Sequence, residues 1–192
     1  MSTPETPLIP ITVRRPQRAD ARRNFDALIA AARDVFAENG TDASLEDIAR
    51  RANVGIGTLY RNFPTRQDLF TSVYVGGVEE LCDSARELYA MEPWDGFAAW
   101  LERFTDYVAT KMAMKEALNK DSQMFSACRA AMFDASLPLF TRAQQAGAIR
   151  ADVAFDDVLR MVSGIVAAKY VDDEQRDRVV AIALDGLRAK QR

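Results

Sequence analysis

An all-α fold is predicted for this chain of 192 residues on three observations. Apolar residues recur with helical period through most of it, as in Phe25, Leu28, Ile29, Ala32, Val35 and Phe36. No run alternates apolar and polar residues between Asn-Gly or Asp-Gly turns, so strands have no signal. Proline is concentrated at the start: Pro4, Pro7, Pro10 and Pro16 come early, and only Pro64, Pro93 and Pro138 follow. The implied architecture is an N-terminal three-helix unit containing a helix-turn-helix, followed by a larger C-terminal helical bundle, about nine helices in total.

Residues 1–19 are expected to form a flexible arm, with Arg14, Arg15 and Arg18 clustered just before the first periodic segment. The first helix ends at Gly40. Ser44 can cap the second with its hydroxyl while Asp47 reciprocates three residues on, and Leu45, Ile48 and Ala49 make its buried face. In the connection Asn53-Val54-Gly55, Asn53 and Gly55 tolerate left-handed geometry. A third helix then runs from Ile56 to Phe63 and is halted by Pro64. Two short helices around so brief a turn form a helix-turn-helix.

Thr65 and Asp68 repeat the capping pattern and open a long fourth helix, through about Ala90. Gly76-Gly77 in its middle costs about 1 kcal/mol per glycine relative to alanine. Either close packing against a neighbour or a loosened shaft would account for the pair. A fifth helix after Pro93 aligns Phe97, Trp100, Leu101, Phe104, Tyr107, Val108 and Met112. Irregular sequence from about Lys115 to Asp121 precedes helical sequence from Ser122 to Ala146, where Pro138 either kinks one helix or opens a new one capped by Ser136. Two final helices, about 155–170 and 174–189, flank the acidic turn Asp172-Asp173-Glu174 as an antiparallel pair.

Composition narrows the function. The chain is 48% apolar and 28% charged, in the globular range, and no run nears the ~18 apolar residues of a membrane span. Its start lacks a basic segment followed by a continuous apolar stretch, so a cytoplasmic location without membrane partners is expected. Histidine is absent, which removes the commonest general base and neutral metal ligand. Cys82 and Cys128 stand far apart in helical segments and read as reduced apolar residues. With no nucleophile-base pair, metal-ligand spacing or phosphate loop, neither an enzyme nor a cofactor is expected. Charge is divided: residues 1–66 hold ten arginines against eight carboxylates, whereas the remainder holds fifteen basic and twenty acidic residues. A front end that meets a polyanion and an acidic body fit that division.

On the third helix, Leu59 and Phe63 are spaced to face inward, which leaves Ile56, Gly57, Thr58, Tyr60, Arg61 and Asn62 outward. Gly57 permits close approach of the backbone to a nucleic acid. Thr58 and Tyr60 offer hydroxyls to phosphate, and Arg61 can fork onto a guanine edge or a phosphate. The stretch Ser44-Leu-Glu-Asp-Ile-Ala through Gly57-Thr-Leu-Tyr-Arg-Asn-Phe-Pro-Thr-Arg-Gln-Asp-Leu-Phe resembles the DNA-binding domain of TetR/AcrR-type transcriptional regulators. The resemblance spans about residues 22–75, with cap, turn, Thr-Leu-Tyr core and following capped helix in order. It implies that Thr58 and Tyr60 meet the DNA backbone, that Ile56, Gly57 and Arg61 approach bases, and that Arg66 holds a phosphate; Ser44 and Asn62 complete the set. Asn53 stands where the family usually has glycine, Gly55 where serine is common, and Asn62 where histidine is frequent.

The family implies a homodimer on a palindromic operator, most often a repressor released by a small-molecule effector. Residues 20–66 would then be the DNA-binding domain and 67–192 the ligand-binding and dimerisation domain. Trp100, Arg103, Phe104, Tyr107, Met124, Cys128 and Met132 are candidate pocket residues, because bundles hold apolar ligands between helices with aromatic and sulfur side chains. Val158, Val162, Ile165, Val166, Val180, Leu184 and Leu187 are the candidate dimer interface, a helical hairpin paired with its copy. The arm arginines also suit insertion into a minor groove. A helical enzyme and a DNA-binding adaptor that senses nothing are the alternatives.

Overall fold

The computed structural model describes Val13, residues 15–114 and residues 123–189. Arg14, the first twelve residues of the expected arm, the irregular segment Lys115 to Asp121 and the helix start at Ser122 lie outside the described residues. Eight α-helices are present among them: α1 (Ala19–Asn39), α2 (Leu45–Arg51), α3 (Ile56–Asn62), α4 (Arg66–Leu88), α5 (Pro93–Ala113), α6 (Gln123–Gln145), α7 (Phe155–Ala167) and α8 (Asp173–Leu187), with a short 3₁₀ turn at Gly40–Asp42. No named strand occurs among the described residues, only a single antiparallel bridge between Ile149 and Arg188.

Among the described residues the count is eight rather than about nine, because Pro138 lies inside one continuous α6. Ser136 caps nothing: it is buried, and its hydroxyl donates to the Met132 carbonyl one turn back at 2.7 Å. Pro138 sits on the exposed side of α6, as does Asp134, whose carbonyl proline leaves without an N–H partner, so water can satisfy it.

The helix ends follow local chemistry. Gly40 terminates α1 at φ +57°, donating its N–H to Phe36 O. Ser44 Oγ accepts from the Asp47 N–H at 3.3 Å, but Asp47 does not reciprocate; its carboxylate pairs with Arg50 at 2.7 Å. The reciprocal box is complete at α4, where Thr65 Oγ1 accepts from the Asp68 N–H at 3.1 Å and Asp68 accepts from the Thr65 N–H at 2.9 Å. In the turn between α2 and α3 only Asn53 is left-handed, at φ +53°, while Gly55 has an ordinary φ of −68°. At α8, Asp172 accepts from the Gln175 N–H at 2.7 Å.

One continuous core joins both ends of the chain. Phe25 meets Phe63 at 5.0 Å between ring centroids and Phe36 stacks on Phe70 at 4.4 Å, which fastens α3 and α4 to α1. In the bundle, Phe155 lies among Phe97, Trp100, Phe133 and Phe140. Two glycines are set by packing. A Cβ on Gly96 would stand 2.5 Å from the Leu88 carbonyl oxygen, and one on Gly77 would stand 3.1 Å from Tyr107 Cδ2. Close packing therefore accounts for Gly77, and α4 runs unbroken through the pair.

Candidate nucleic-acid interface and cavity

The turn after α2 is short because the Val54 N–H closes onto the Ala49 carbonyl at 3.0 Å and Asn53 takes the one left-handed position. This delivers α3 across the front of α1. Leu59 and Phe63 are 0% and 1% exposed and hold α3 down, so the opposite face is outward by geometry. Ile56 is 37% and Tyr60 46% exposed, high values for large apolar or aromatic side chains, and Gly57 has no neighbour within 4 Å of where a Cβ would lie. Thr58 and Asn62 are half-buried beside them.

The polar groups of this face are turned back on α3. Arg61 donates from Nε to the Gly57 carbonyl at 3.1 Å and from Nη2 to Thr58 Oγ1 at 3.2 Å. Asn62 Nδ2 donates to the Thr58 carbonyl at 2.7 Å. Arg61 remains exposed, so exchanging those neutral bonds for an anionic or guanine acceptor carries little desolvation penalty. Ser44 stands at the start of α2, where its hydroxyl also donates to Glu46 at 2.9 Å. Arg66, expected on a phosphate, instead donates to the Ala43 carbonyl and lies over the Phe70 ring at 5.3 Å, tying the loop before α2 to α4. Other arginines near this surface are paired: Arg51 makes two bonds to Glu38, at 2.6 and 2.8 Å, and Arg50 pairs with Asp47. The guanidinium of Arg51 holds the exposed Glu38 carboxyl below its ordinary value.

A cavity of about 500 Å³ opens between α1, α4 and α5. Of the expected pocket residues, it is lined by Arg103 and Tyr107. Trp100, Phe104, Cys128 and Met132 are buried in the packing around it, and Met124 is half-buried on α6. Trp100 is 0% exposed, with its indole N–H donating to the Leu81 carbonyl at 3.1 Å and its ring stacked on Phe104, so it is a core pillar and not a cavity wall. Asp106 and Lys111 of α5, which the sequence offered either as surface charges or as polar anchors of a pocket, also line it, and the wall that sequence reasoning missed comes from α1 and α4: Arg33, Tyr74, Gly77, Glu80 and Ser84. Gly77, Glu80 and Ser84 fall at helical spacings of three and four on α4, which was the available signal.

Tyr74 and Tyr107 both line the cavity with ring centroids 6.0 Å apart, and burial pushes both phenols up, Tyr107 well above its ordinary value. Lys111 Nζ lies 5.9 Å from the Tyr74 ring centroid. Arg33 pairs with Glu80 at 2.7 Å, a bridge from α1 to α4 across the wall. Among the described residues there is no cluster of potential metal ligands.

The expected dimer residues divide. Val158, Val162 and Leu187 are buried within the protomer, at 1%, 2% and 4% exposure, which removes them from any outer surface. Ile165, Val166, Val180 and Leu184 are half-buried, and the last three line a groove of about 350 Å³ between α5, α7 and α8. Ile182, at 70% exposure, is the outward apolar residue of α8 that the expectation lacked. No described helix is long and apolar enough to cross a membrane.

Known proteins resemble both halves of this architecture. Residues 28–73 match the family of bacterial regulatory proteins of the tetR type, and residues 92–189 match the C-terminal domain of SbtR-like transcriptional regulators. The solved structure of the TetR transcriptional regulator SCO0520 from Streptomyces coelicolor is 38% identical, with 86% of this chain and 99% of that one covered and a TM-score of 0.76. A TetR transcription regulatory protein from Mycobacterium vanbaalenii is 33% identical over 91% of this chain and all of that one, with a TM-score of 0.69. The ketosteroid transcriptional regulator KstR2 of Mycobacterium tuberculosis, 19% identical with a TM-score of 0.54 over 90% of this chain and 98% of that one, shares the fold alone. Family matches over residues 28–73 and 92–189, together with solved relatives 38% and 33% identical over most of this chain, place the chain in the TetR family of transcriptional regulators.

Proposed function

We propose that this protein is a cytoplasmic homodimer that binds a palindromic operator through α3 and is released from it by a small molecule held in the cavity between α1, α4 and α5. The observation that carries the reading is the outward face of α3, where Ile56, Gly57, Tyr60 and Arg61 stand exposed on a helix locked from behind by Leu59 and Phe63. Such a face enters a major groove, with Thr58 and Tyr60 on phosphates and Arg61 on a base edge. Arg66 acts here from behind, by holding the loop that carries Ser44.

Residues 20–66 form the DNA-binding unit and residues 67–192 the sensing and pairing body. Effector binding acts through the cavity wall, because α1 belongs to the DNA-binding unit and contributes Arg33, bridged to Glu80 of α4. A ligand that favours a different spacing of α1 and α4 shifts the population of operator-competent dimers, to the extent of its differential affinity. Pairing occurs through the outer face of α7 and α8, where Ile165 and Ile182 are accessible. Repression is the expected sign, and the activity is binding, not turnover.

The test is enrichment of duplexes from random-sequence DNA by the purified protein. A palindromic site should emerge, Arg61→Ala should weaken binding by about 1 to 3 kcal/mol with relaxed preference at one position, and Tyr60→Phe should weaken binding with unchanged preference. Sedimentation should report a dimer that Ile182→Asp dissociates. Failure to enrich any duplex, with the protein folded, refutes the reading.

A further inference from the structure

The last residues of the N-terminal arm are held on the body of the protein. Glu79, thirteen residues into α4 and therefore about 20 Å from its DNA-proximal end, accepts from two arm groups at once. Its Oε1 accepts the Val13 backbone N–H at 2.7 Å, and its Oε2 accepts Arg15 Nη1 at 2.9 Å. The Glu79 side chain is only 12% exposed, unlike most carboxylates of the surface. Arg15 reaches a second carboxylate, Asp26 on α1, at 3.3 Å. The Val13 side chain lies over Gly76, where an added Cβ would be 3.8 Å away, so Val13 is seated by packing as well as by its hydrogen bond.

Arg15 is thus neutralised in place. A guanidinium held by two carboxylates cannot also displace a counterion from DNA, although it stands just ahead of the helix that opens the DNA-binding unit. We infer that Glu79 is a positioning residue for DNA binding: its carboxylate competes with nucleic-acid phosphate for Arg15, so the docked arm sets the affinity of the protein for DNA. The inference rests on the proposed DNA-binding function. The two carboxylates and the two arm groups define a docked state, and release of the arm defines a state with one more cation for the duplex. Apparent affinity is lowered by the fraction of molecules whose arm is docked.

Glu79→Gln is the direct test, since the glutamine oxygen still accepts the Val13 N–H while the charge facing Arg15 is lost. The probe is the duplex enriched from random-sequence DNA by the wild-type full-length protein, with affinity measured across a salt series. Glu79→Gln should bind about three- to tenfold tighter at low salt, with the slope of log K against log salt steeper by about 0.9, the increment for one further phosphate contact. Arg15→Ala alone should leave the slope unchanged, and Arg15→Ala added to Glu79→Gln should cancel the gain. Asp26→Asn, at an exposed position, should move both readouts in the same direction by less, which keeps the test decisive if Glu79→Gln folds poorly. Unchanged or weaker binding by both carboxylate variants overturns the inference. So does a gain that survives Arg15→Ala, which would reflect only the removal of a negative charge near DNA. If the wild type binds no duplex, the DNA-binding reading itself has failed; if it binds and the variants match it, only the clamp has.

Discussion

Adjacent glycines in α4 should respond oppositely to the same added methyl group. A Cβ at residue 76 would meet Val13 Cγ2 at 3.8 Å and Ile29 Cγ2 at 3.9 Å, ordinary contact distances, so Gly76→Ala gains helix propensity without strain. That gain is about 1 kcal/mol, supported by the reduced freedom of the unfolded chain. At residue 77 the Cβ would lie 3.1 Å from Tyr107 Cδ2 and 3.5 Å from Cε2, so the ring must retreat by a few tenths of an ångström. Tyr107 has little room, because its ring abuts those of Tyr74, at 6.0 Å, and Phe104, at 6.2 Å. Overpacking of this kind costs about 1 to 3 kcal/mol, which cancels or exceeds the propensity gain. Urea denaturation should therefore show Gly76→Ala stabilised by about 1 kcal/mol and Gly77→Ala unchanged or destabilised by up to ~2 kcal/mol. In a double-mutant cycle, Tyr107→Leu should relieve the penalty at residue 77. Equal stabilisation by the two alanines would show that Tyr107 yields freely, and the account of Gly77 as a packing glycine would be wrong. An effector response unaltered in the double alanine variant would separately discard a hinge at this point in α4.

Three further outcomes follow from single contacts. Gly96→Ala should destabilise the fold by more than ~2 kcal/mol in thermal or chemical unfolding, since its Cβ would meet the Leu88 carbonyl at 2.5 Å and backbone cannot swing aside. Asn53→Gly should be neutral or slightly stabilising, whereas Asn53→Val should cost about 1 to 2 kcal/mol and weaken DNA binding, because a β-branched residue resists φ +53°. Burial pushes the Cys128 thiol up from 9.0 to about 11, so native alkylation near neutral pH should be far slower than in the unfolded chain. Across that window the unfolded chain releases the proton first, so stability should fall as pH rises from 9 toward 11, a loss that Cys128→Ala should reduce.

Elements governed by neighbouring residues were legible without the structure. The helical periods, the Thr65–Asp68 box, the stop at Gly40 and the inward pair Leu59 and Phe63 depend on spacings of three or four residues, and the structure has each in place. The outward face of α3 follows from the same arithmetic. Pro138 could be read two ways because its effect on a helix depends on whether the carbonyl left behind faces water or core, which only packing sets.

Composition and periodicity by themselves determined an all-helical chain, a helix-turn-helix at its front and the residues that front presents, since a helix must turn its apolar side to its neighbours. Only the tertiary structure decided which polar groups meet across elements. Arg33 with Glu80, Glu79 with the arm and Arg66 with Ala43 join residues far apart in the chain, and no local pattern encodes such partners. The aromatic stripe of α5 shows the same division. Its period announced a buried face, but core and cavity wall are chemically alike, and it took the position of α4 to make Trp100 a pillar and Tyr107 a wall.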